Sequence, residues 1–346
     1  MFLRNKTRHF VGLARTAVSD ALSVASAVVV TRYKIESDCL TMLDCSPART
    51  PGDPPDAHAF PLWKGVSVSV SGAAIGPVRA PFLRPISLCV GAEVRRVIVF
   101  GNRRWMQSVG GDLVISEPEP FESIPLVFAR AFGGGYEIPP GLFPGTELPF
   151  PGLRVTYPLN PSGIGFYGTR ESAVDGVLPN VELPTELTCS WDDRPEPAGF
   201  APCPELVGLR VPTDTASQEA IHVAVQARDE SERSGPWGMG SAESDLELVL
   251  RMTHHAPGRL IFPSVPPATV VSLEGLGHRA LRFEVPPSPV RVLLPGSALR
   301  GEPSSSLRSL YIDSDRSVVE VVYGHAFHYP PDRAPGWVRI LERETV

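Results

Sequence analysis

Lysine is almost missing from this chain. It occurs only at Lys6, Lys34 and Lys64, and arginine carries nearly all of the positive charge. A codon bias towards arginine explains the imbalance without any demand from a site. The net charge is -6 and the pI near 5.8, so no broad basic face is expected and general nucleic-acid binding is argued against. Cysteine is also scarce. There are five, an odd number, and no two form a C-x-x-C pair. That leaves no disulfide framework and no structural zinc site to name, and it fits a reducing compartment, so a cytoplasmic location is expected. Long apolar runs are absent as well: nothing approaches the roughly 18 uncharged residues of a bilayer span. The nearest approach is ALSVASAVVV at 21–30, which follows the basic decapeptide MFLRNKTRHF. Asp20 abuts that run, and VVVTRYKI continues it as a β-branched strand. A strand is therefore expected there rather than an export leader.

Helix breakers, by contrast, are abundant: 38 prolines and 31 glycines. Proline removes a backbone donor and blocks helix interiors, so short strands and many turns are expected. Residues 24–35 read as one strand. SPARTPGDPPDAHAFP, residues 46–61, reads as a Pro-rich loop. In GVSVSVSG the valines Val66, Val68 and Val70 alternate with Ser67, Ser69 and Ser71, which predicts a half-buried strand. Strands at 86–91 and 94–100 flank a Gly91-Ala92 turn, and Asp112–Ser116 can add a short one. Cys89 falls in an apolar run and is expected to be buried. From Pro118 to Pro212 the chain is Gly, Pro, Asn and aromatic residues with little periodicity. Disordered segments avoid aromatic rings, so this stretch is expected to be ordered coil over a β core. Residues 213–233 are the one helical pattern, with Thr215 and Gln218 spaced as a capping box. Short strands are then expected at 246–252, 259–263, 268–274, 280–285, 290–294, 307–312 and 317–323. No internal repeat is present. The fold class expected is mainly β: a β-sandwich-like core of short antiparallel strands, long ordered Gly/Pro-rich loops and at most one or two short helices. Residues 1–46 are expected to supply strands of the same fold, 47–61 a loop, and 62–346 the main β domain.

Few residues offer chemistry. FARAFGGG at 128–135 lacks the lysine and spacing of a phosphate loop, so its glycines are read as a turn. His254 and His255 are adjacent and would point to opposite faces of a strand. His325 and His328 in GHAFH also fall on opposite faces, and neither pair has a third ligand at a metal spacing. The acidic pairs Asp192-Asp193 and Glu117/Glu119 sit in turn-like sequence, where carboxylates are commonly solvated or cap backbone. There is no G-x-S-x-G elbow. Arg103, Arg104 and Arg130 lie in aromatic, Gly-rich turns, where arginine ties irregular backbone together. No catalytic, cofactor or metal site is expected.

Five segments, in order, carry a resemblance: GNRRW (101–105), PEPFESIPLVFARAFGG (118–134), NPSGIG (160–165), LPNVE (178–182) and PAGFAP (197–202). Together they resemble the uncharacterised-domain family associated with bacterial type VI secretion, and the match is close over residues 62–203. The resemblance implies an adaptor or chaperone that loads an effector or a PAAR-type protein onto the VgrG spike tip, without cofactor or catalysis. After PAGF the family carries a Trp-Pro-Arg stretch and a Gly-Thr-Tyr-Asp-like stretch. CPELVGLRVPTDT stands there in this chain. The expected role is protein binding through three loops, Arg103–Trp105, Phe128–Tyr136 and Phe166–Arg170. The candidate contacts are Arg103, Arg104, Trp105, Phe128, Arg130, Phe132, Tyr136, Phe166, Tyr167 and Arg170, because rings and arginines favour hot spots. The alternatives are a hydrolase or carbohydrate-active β enzyme with facing carboxylates at 118–200, and a structural particle component that would form homo-oligomers.

Overall fold

The computed structural model describes residues 1–19, 22–43, 65–138, 154–202, 256–277, 279–295 and 303–343. The Pro-rich loop at 46–61, the helical pattern at 213–233, the strand expected at 246–252 and the His254-His255 pair lie outside them. The described residues are mainly β, as the breakers require. One α-helix, Arg170–Ala173, and three 3-10 turns are all the helix among them. The chain divides into two compact units. The first comprises Met1–Ser69, Pro212–Val271 and Arg282–Val346, and the second Val70–Val211 and Ser272–Leu281.

The first unit is built on a seven-stranded sheet whose longest strand, Leu22–Glu36, lies beside the edge strand Phe10–Ser19. That strand pairs antiparallel with Phe10–Ser19 on one side and with Val318–Tyr329 on the other, where Val30 faces Val322 and Ala27 faces His325. It is buried without interruption from Ser23 to Thr31. A strand covered on both faces needs no alternation, which is why VASAVVV reads as one apolar run. A second sheet of three strands lies in the same unit. Phe2–Lys6 runs parallel to Trp337–Glu342, which pairs antiparallel with Val290–Leu293. Val290, Val292, Val338 and Ile340 from this sheet share one apolar cluster with Ala25, Ala27, Val29 and Phe327 of the larger one. Two sheets closing on one core is sandwich packing. On the opposite face Val28, Val30 and Val322 pack with Phe10.

Two local expectations are corrected in and near this sheet. Val66, Val68 and Val70 are buried, but so are Ser67 and Ser69. The strand Val66–Ser71 sits inside the sheet order rather than over water, and the Ser67 hydroxyl reaches the Arg308 carbonyl at 3.4 Å. Val318–Tyr329 is also much longer than its periodicity suggests, because GHAFH continues it. In the second unit Cys89 is half-buried rather than buried.

The second unit centres on the hairpin Leu83–Val90 and Glu93–Phe100, turned at Gly91 with φ 59°. Val181–Glu182 flanks it on one side and Val270–Glu274 on the other. Around this hairpin sit two-residue and three-residue ladders: Trp105–Gln107 with Leu113–Ile115, Ala73–Ile75 with Ser123–Pro125, Phe132–Gly133 with Ile164–Gly165, and Gly135–Glu137 with Arg154–Thr156. Proline and glycine cut the strands short, and side-chain bonds take up the backbone groups that longer ladders would have paired.

Candidate functional site

The irregular middle of the second unit is knotted by buried polar side chains. Asn160 is fully buried. Its amide donates to the carbonyls of Phe128 at 2.7 Å and Phe132 at 3.0 Å. The backbone returns the bond: Gly134 N–H donates to Asn160 O at 2.8 Å. Gly133 and Gly134 have φ of 148° and 89°, and a Cβ on Gly133 would collide with Asn160. The glycines of FARAFGGG therefore serve a positive φ and a close backbone approach, as expected of a turn. Phe128 and Phe132 anchor it from below, both buried. Phe132 meets Tyr157 edge-on at 5.0 Å, and Tyr157 and Tyr136 lean on Phe166 at 5.4 and 5.5 Å. Arg194 caps Phe166 at 4.7 Å. Such edge and cation contacts add about 0.5–1.5 kcal/mol each beyond area burial.

A second knot adjoins the hairpin. Arg103 is 6% exposed and Glu182 2%, and they meet at 2.6 Å. The same guanidinium donates to Pro179 O at 2.8 Å and lies 3.8 Å over the Phe100 ring. Burial pushes the Glu182 carboxyl above its ordinary range, and Arg103 pulls against that shift. Thr188 N–H donates to its other oxygen at 3.2 Å. Asn180, also fully buried, donates to Phe100 O at 3.1 Å and accepts from Arg130 at 3.3 Å. Arg103 therefore ties backbone, whereas Arg130 is exposed and reaches a side-chain amide instead. Asn160, Asn180 and Glu182 were not singled out among the candidates, although NPSGIG and LPNVE contain all three. An isolated asparagine in a turn gives no sign of how many carbonyls it will serve.

The ten candidates thus separate. Arg103, Trp105, Phe128 and Phe132 are buried framework; Tyr136, Phe166 and Tyr167 are half-buried; Arg104, Arg130 and Arg170 are exposed. Trp105 is packed with Ala173 and Leu178, against Leu113, Ile115 and Tyr167. The Tyr167 hydroxyl donates to Val177 O at 2.8 Å, and burial raises its pKa. The acidic pairs do turn work. Asp193 accepts the amides of Cys189 and Ser190 at 2.7 Å, and Asp192 accepts the Ser190 hydroxyl. Glu117 and Glu119 are exposed. His325 is buried and His328 exposed, on opposite strand faces as their spacing requires. Among the described residues no group of His, Cys, Asp and Glu is arranged to hold a metal ion.

The other face of the Trp105 ribbon is different. Side chains alternate along a strand, so Trp105 and Ile115 turn inward while Met106 and Val114, directly opposite each other, turn out. Met106 is 44% exposed and Val114 42%. Arg104 shares that face and bridges Val177, itself exposed, and Val109 stands clear at the hairpin tip. The turn is pinned: Arg170 donates to Gly111 O at 2.6 Å and lies 3.7 Å from Asp112. The result is a fixed apolar strip edged by two arginines.

The profile of one family, described as an uncharacterized protein conserved in bacteria (DUF2169), matches residues 42–324. The chain belongs to this family. The match extends past the 62–203 region where the resemblance is closest, and it runs through the departure after Pro202 to the Val318–Tyr329 strand. No curated protein and no solved structure matches the chain. Among the described residues no helix is long and apolar enough to cross a membrane.

Proposed function

We propose that this member of the family is a protein-binding adaptor or chaperone, which holds a secreted effector or a PAAR-type tip protein for loading onto a type VI secretion spike. One observation carries the reading: the Met106, Val114 and Val177 strip with Arg104, exposed on a ribbon whose inner face is locked by Trp105. A pre-organised apolar strip loses little entropy on docking, methionine and arginine are enriched at interfaces, and arginine is a frequent hot spot. The framework beneath fits the same role. Its buried Asn and Arg side chains satisfy backbone and hold loops still. Glu182, the buried acid among the described residues, is ion-paired rather than facing a second carboxylate.

The test is co-purification of the full chain with each tip protein and effector encoded beside its gene. The wild type is expected to retain one of them. M106R and V114R, each placing a charge in the strip, are expected to weaken retention at least about tenfold while the protein stays folded. A wild-type chain that retains none of those proteins overturns the reading. Retention unchanged in both variants removes the strip as the contact.

A further inference from the structure

The ribbon that carries the apolar strip has one closed edge and one open edge. Ser108 N–H donates to Asp112 O at 2.8 Å and Ser116 N–H to Arg104 O at 2.9 Å, and between them Met106 faces Val114. Bonded and non-bonded pairs alternate along an antiparallel ladder, so the N–H and C=O groups of Leu113 and Ile115 point away from Trp105–Gln107. On the Trp105 strand the matching groups are taken: Trp105 N–H donates to Gly176 O, and Asp175 N–H donates to Trp105 O, both at 2.9 Å. On the Leu113–Ile115 strand they have no partner among the described residues. Sheets commonly blunt such an edge with a basic side chain or a proline. Phe2–Lys6 carries Arg4 and Lys6, Ser123–Pro125 ends on a proline, and Arg154–Thr156 begins on an arginine. Leu113–Ile115 is Leu-Val-Ile, with none of these devices. Carboxylates bracket it instead: Asp112 before it, Glu117 and Glu119 after it, all exposed. Arg170 lies against Asp112, so the negative charge offered to a partner is concentrated at the Glu117 end.

We propose that this edge takes an added strand: an extended segment of a protein partner, an apolar β-branched triplet preceded by arginine or lysine, pairs antiparallel with Leu113–Ile115. The inference rests on the adaptor reading in taking the occupant to be a protein, and it names what the ribbon grips. Outward N–H and C=O groups at a two-residue spacing match the backbone of an extended chain, whereas a helix has already satisfied its own. Neighbours across a ladder share a face, so the middle residue of the triplet turns outward beside Val114 and widens the Met106–Val114 strip. The outer two turn inward beside Leu113 and Ile115. Antiparallel pairing is the stronger form, and it sets the basic residue that precedes the triplet beside Glu117. Size agrees: a standard folded interface takes roughly 20–30 residues a side, and exposed apolar surface limited to Met106, Val109, Val114 and Val177 suits a short segment.

Fluorescence anisotropy of the full chain with the peptide acetyl-Arg-Thr-Val-Val-Val-Thr, labelled at its C-terminal end, decides it. In the proposed register the amide of the first valine donates to Ile115 O, and the amide of the middle valine points away from the edge. Saturable binding is expected. N-methylation of the first valine is expected to weaken it at least about tenfold, as a hydrogen bond left unmade requires, and N-methylation of the middle valine to leave it nearly unchanged. Hydrogen exchange of the segment holding Leu113 and Ile115 is expected to slow when the peptide binds. E117R/E119R, both at exposed positions, is expected to weaken the peptide a few-fold. The proposal falls if the peptide does not bind, if methylation of the middle valine costs as much as that of the first, or if exchange at Leu113 and Ile115 is unaltered. The assay uses no native partner, so the two readings fail separately. Loss of the methylation contrast while a tip protein or effector is still retained removes the added strand alone. The contrast without any retained protein keeps the strand and removes the tip-protein and effector reading.

Discussion

At the scale of single residues, the buried polar side chains decide the most. His325 is the clearest. Its folded pKa is about 4, against an ordinary value of 6.5. Between those values the unfolded chain binds the proton and the folded chain does not, so stability falls as the pH drops from about 6.5 to about 4 and levels off below. The shift corresponds to about 3 kcal/mol. Urea unfolding of the wild type and H325N across that window is expected to show the wild type losing about that much more than the variant. Parallel curves would mean that the ring stays neutral or exposed in both states. Its neighbour Gly324 is tested by volume. Arg308, 1% exposed, occupies the register shift between Leu307 and Ser309 and donates to Ser26 at 2.5 Å. A Cβ on Gly324 would fall on that guanidinium. G324A is expected to cost about 2–3 kcal/mol by overpacking, and G324S no less, read as a lowered denaturation midpoint. Neither site was legible from sequence. GHAFH shows that the two histidines oppose each other, but not which one faces the core, and RSLYID gives no hint that its first arginine is a buried bulge residue.

At the scale of elements, what could be read depended on how each segment is covered. Leu22–Glu36 and the Leu83–Val90 hairpin were legible because burial on one face or both leaves a clear pattern of β-branched residues. Phe2–Lys6 and Trp337–Glu342 were not. Phe2–Lys6 is exposed along its whole length and owes its place to parallel pairing with Trp337–Glu342, which lies far off in the chain. The turn chemistry of FARAFGGG was legible from its glycines, yet the groups that fix it, Asn160 and Asn180, come from elsewhere in the chain, as do the two members of the Arg103–Glu182 pair that adjoins the hairpin. The pair makes a test of the element. R103M leaves Glu182 buried and uncompensated, and is expected to cost about 3–5 kcal/mol; R103M/E182L removes both charges and is expected to recover much of that loss. A double variant as unstable as the single would show that the Arg103 bond to Pro179 O, rather than the ion pair, holds the loop. The same distinction governs the candidate contacts. Residues picked for ring and charge alone included Trp105, Phe128 and Phe132, which the element buries, whereas Met106 and Val114 lie on the face that the strand turns outward.

At the scale of the molecule, the family match and the folding unit do not coincide. The match covers residues 42–324, and the longest strand of the seven-stranded sheet, Leu22–Glu36, precedes it. That strand pairs with neighbours on both sides and buries Val24, Val28, Val29, Val30, Tyr33 and Ile35. At about 1.5–3 kcal/mol for each buried large side chain, removing them forfeits about as much as the whole 5–15 kcal/mol that keeps a domain folded. The loss also leaves the part of the neighbouring strand that the match keeps, Val318–Gly324, as an unpaired apolar edge, a template for aggregation. Trp337–Glu342 follows the match and is lost with it, taking Val338 and Ile340 from the shared cluster. A fragment of residues 42–324 is therefore expected to be insoluble or to lack the dispersed amide spectrum of a folded first unit, while the full chain shows it. Full solubility and native dispersion in the fragment would mean that the Leu22–Glu36 pairing contributes far less than its burial implies. Adding residues 1–41 as a separate chain to a fragment of residues 42–346, which keeps Val318–Tyr329 and Trp337–Glu342 whole, offers the sharper form of the test. The registers of Phe10–Ser19 and Val318–Tyr329 on either side of Leu22–Glu36 leave one slot for that strand, so rescue by the added chain is expected to be lost when V30D places a charge opposite Val322.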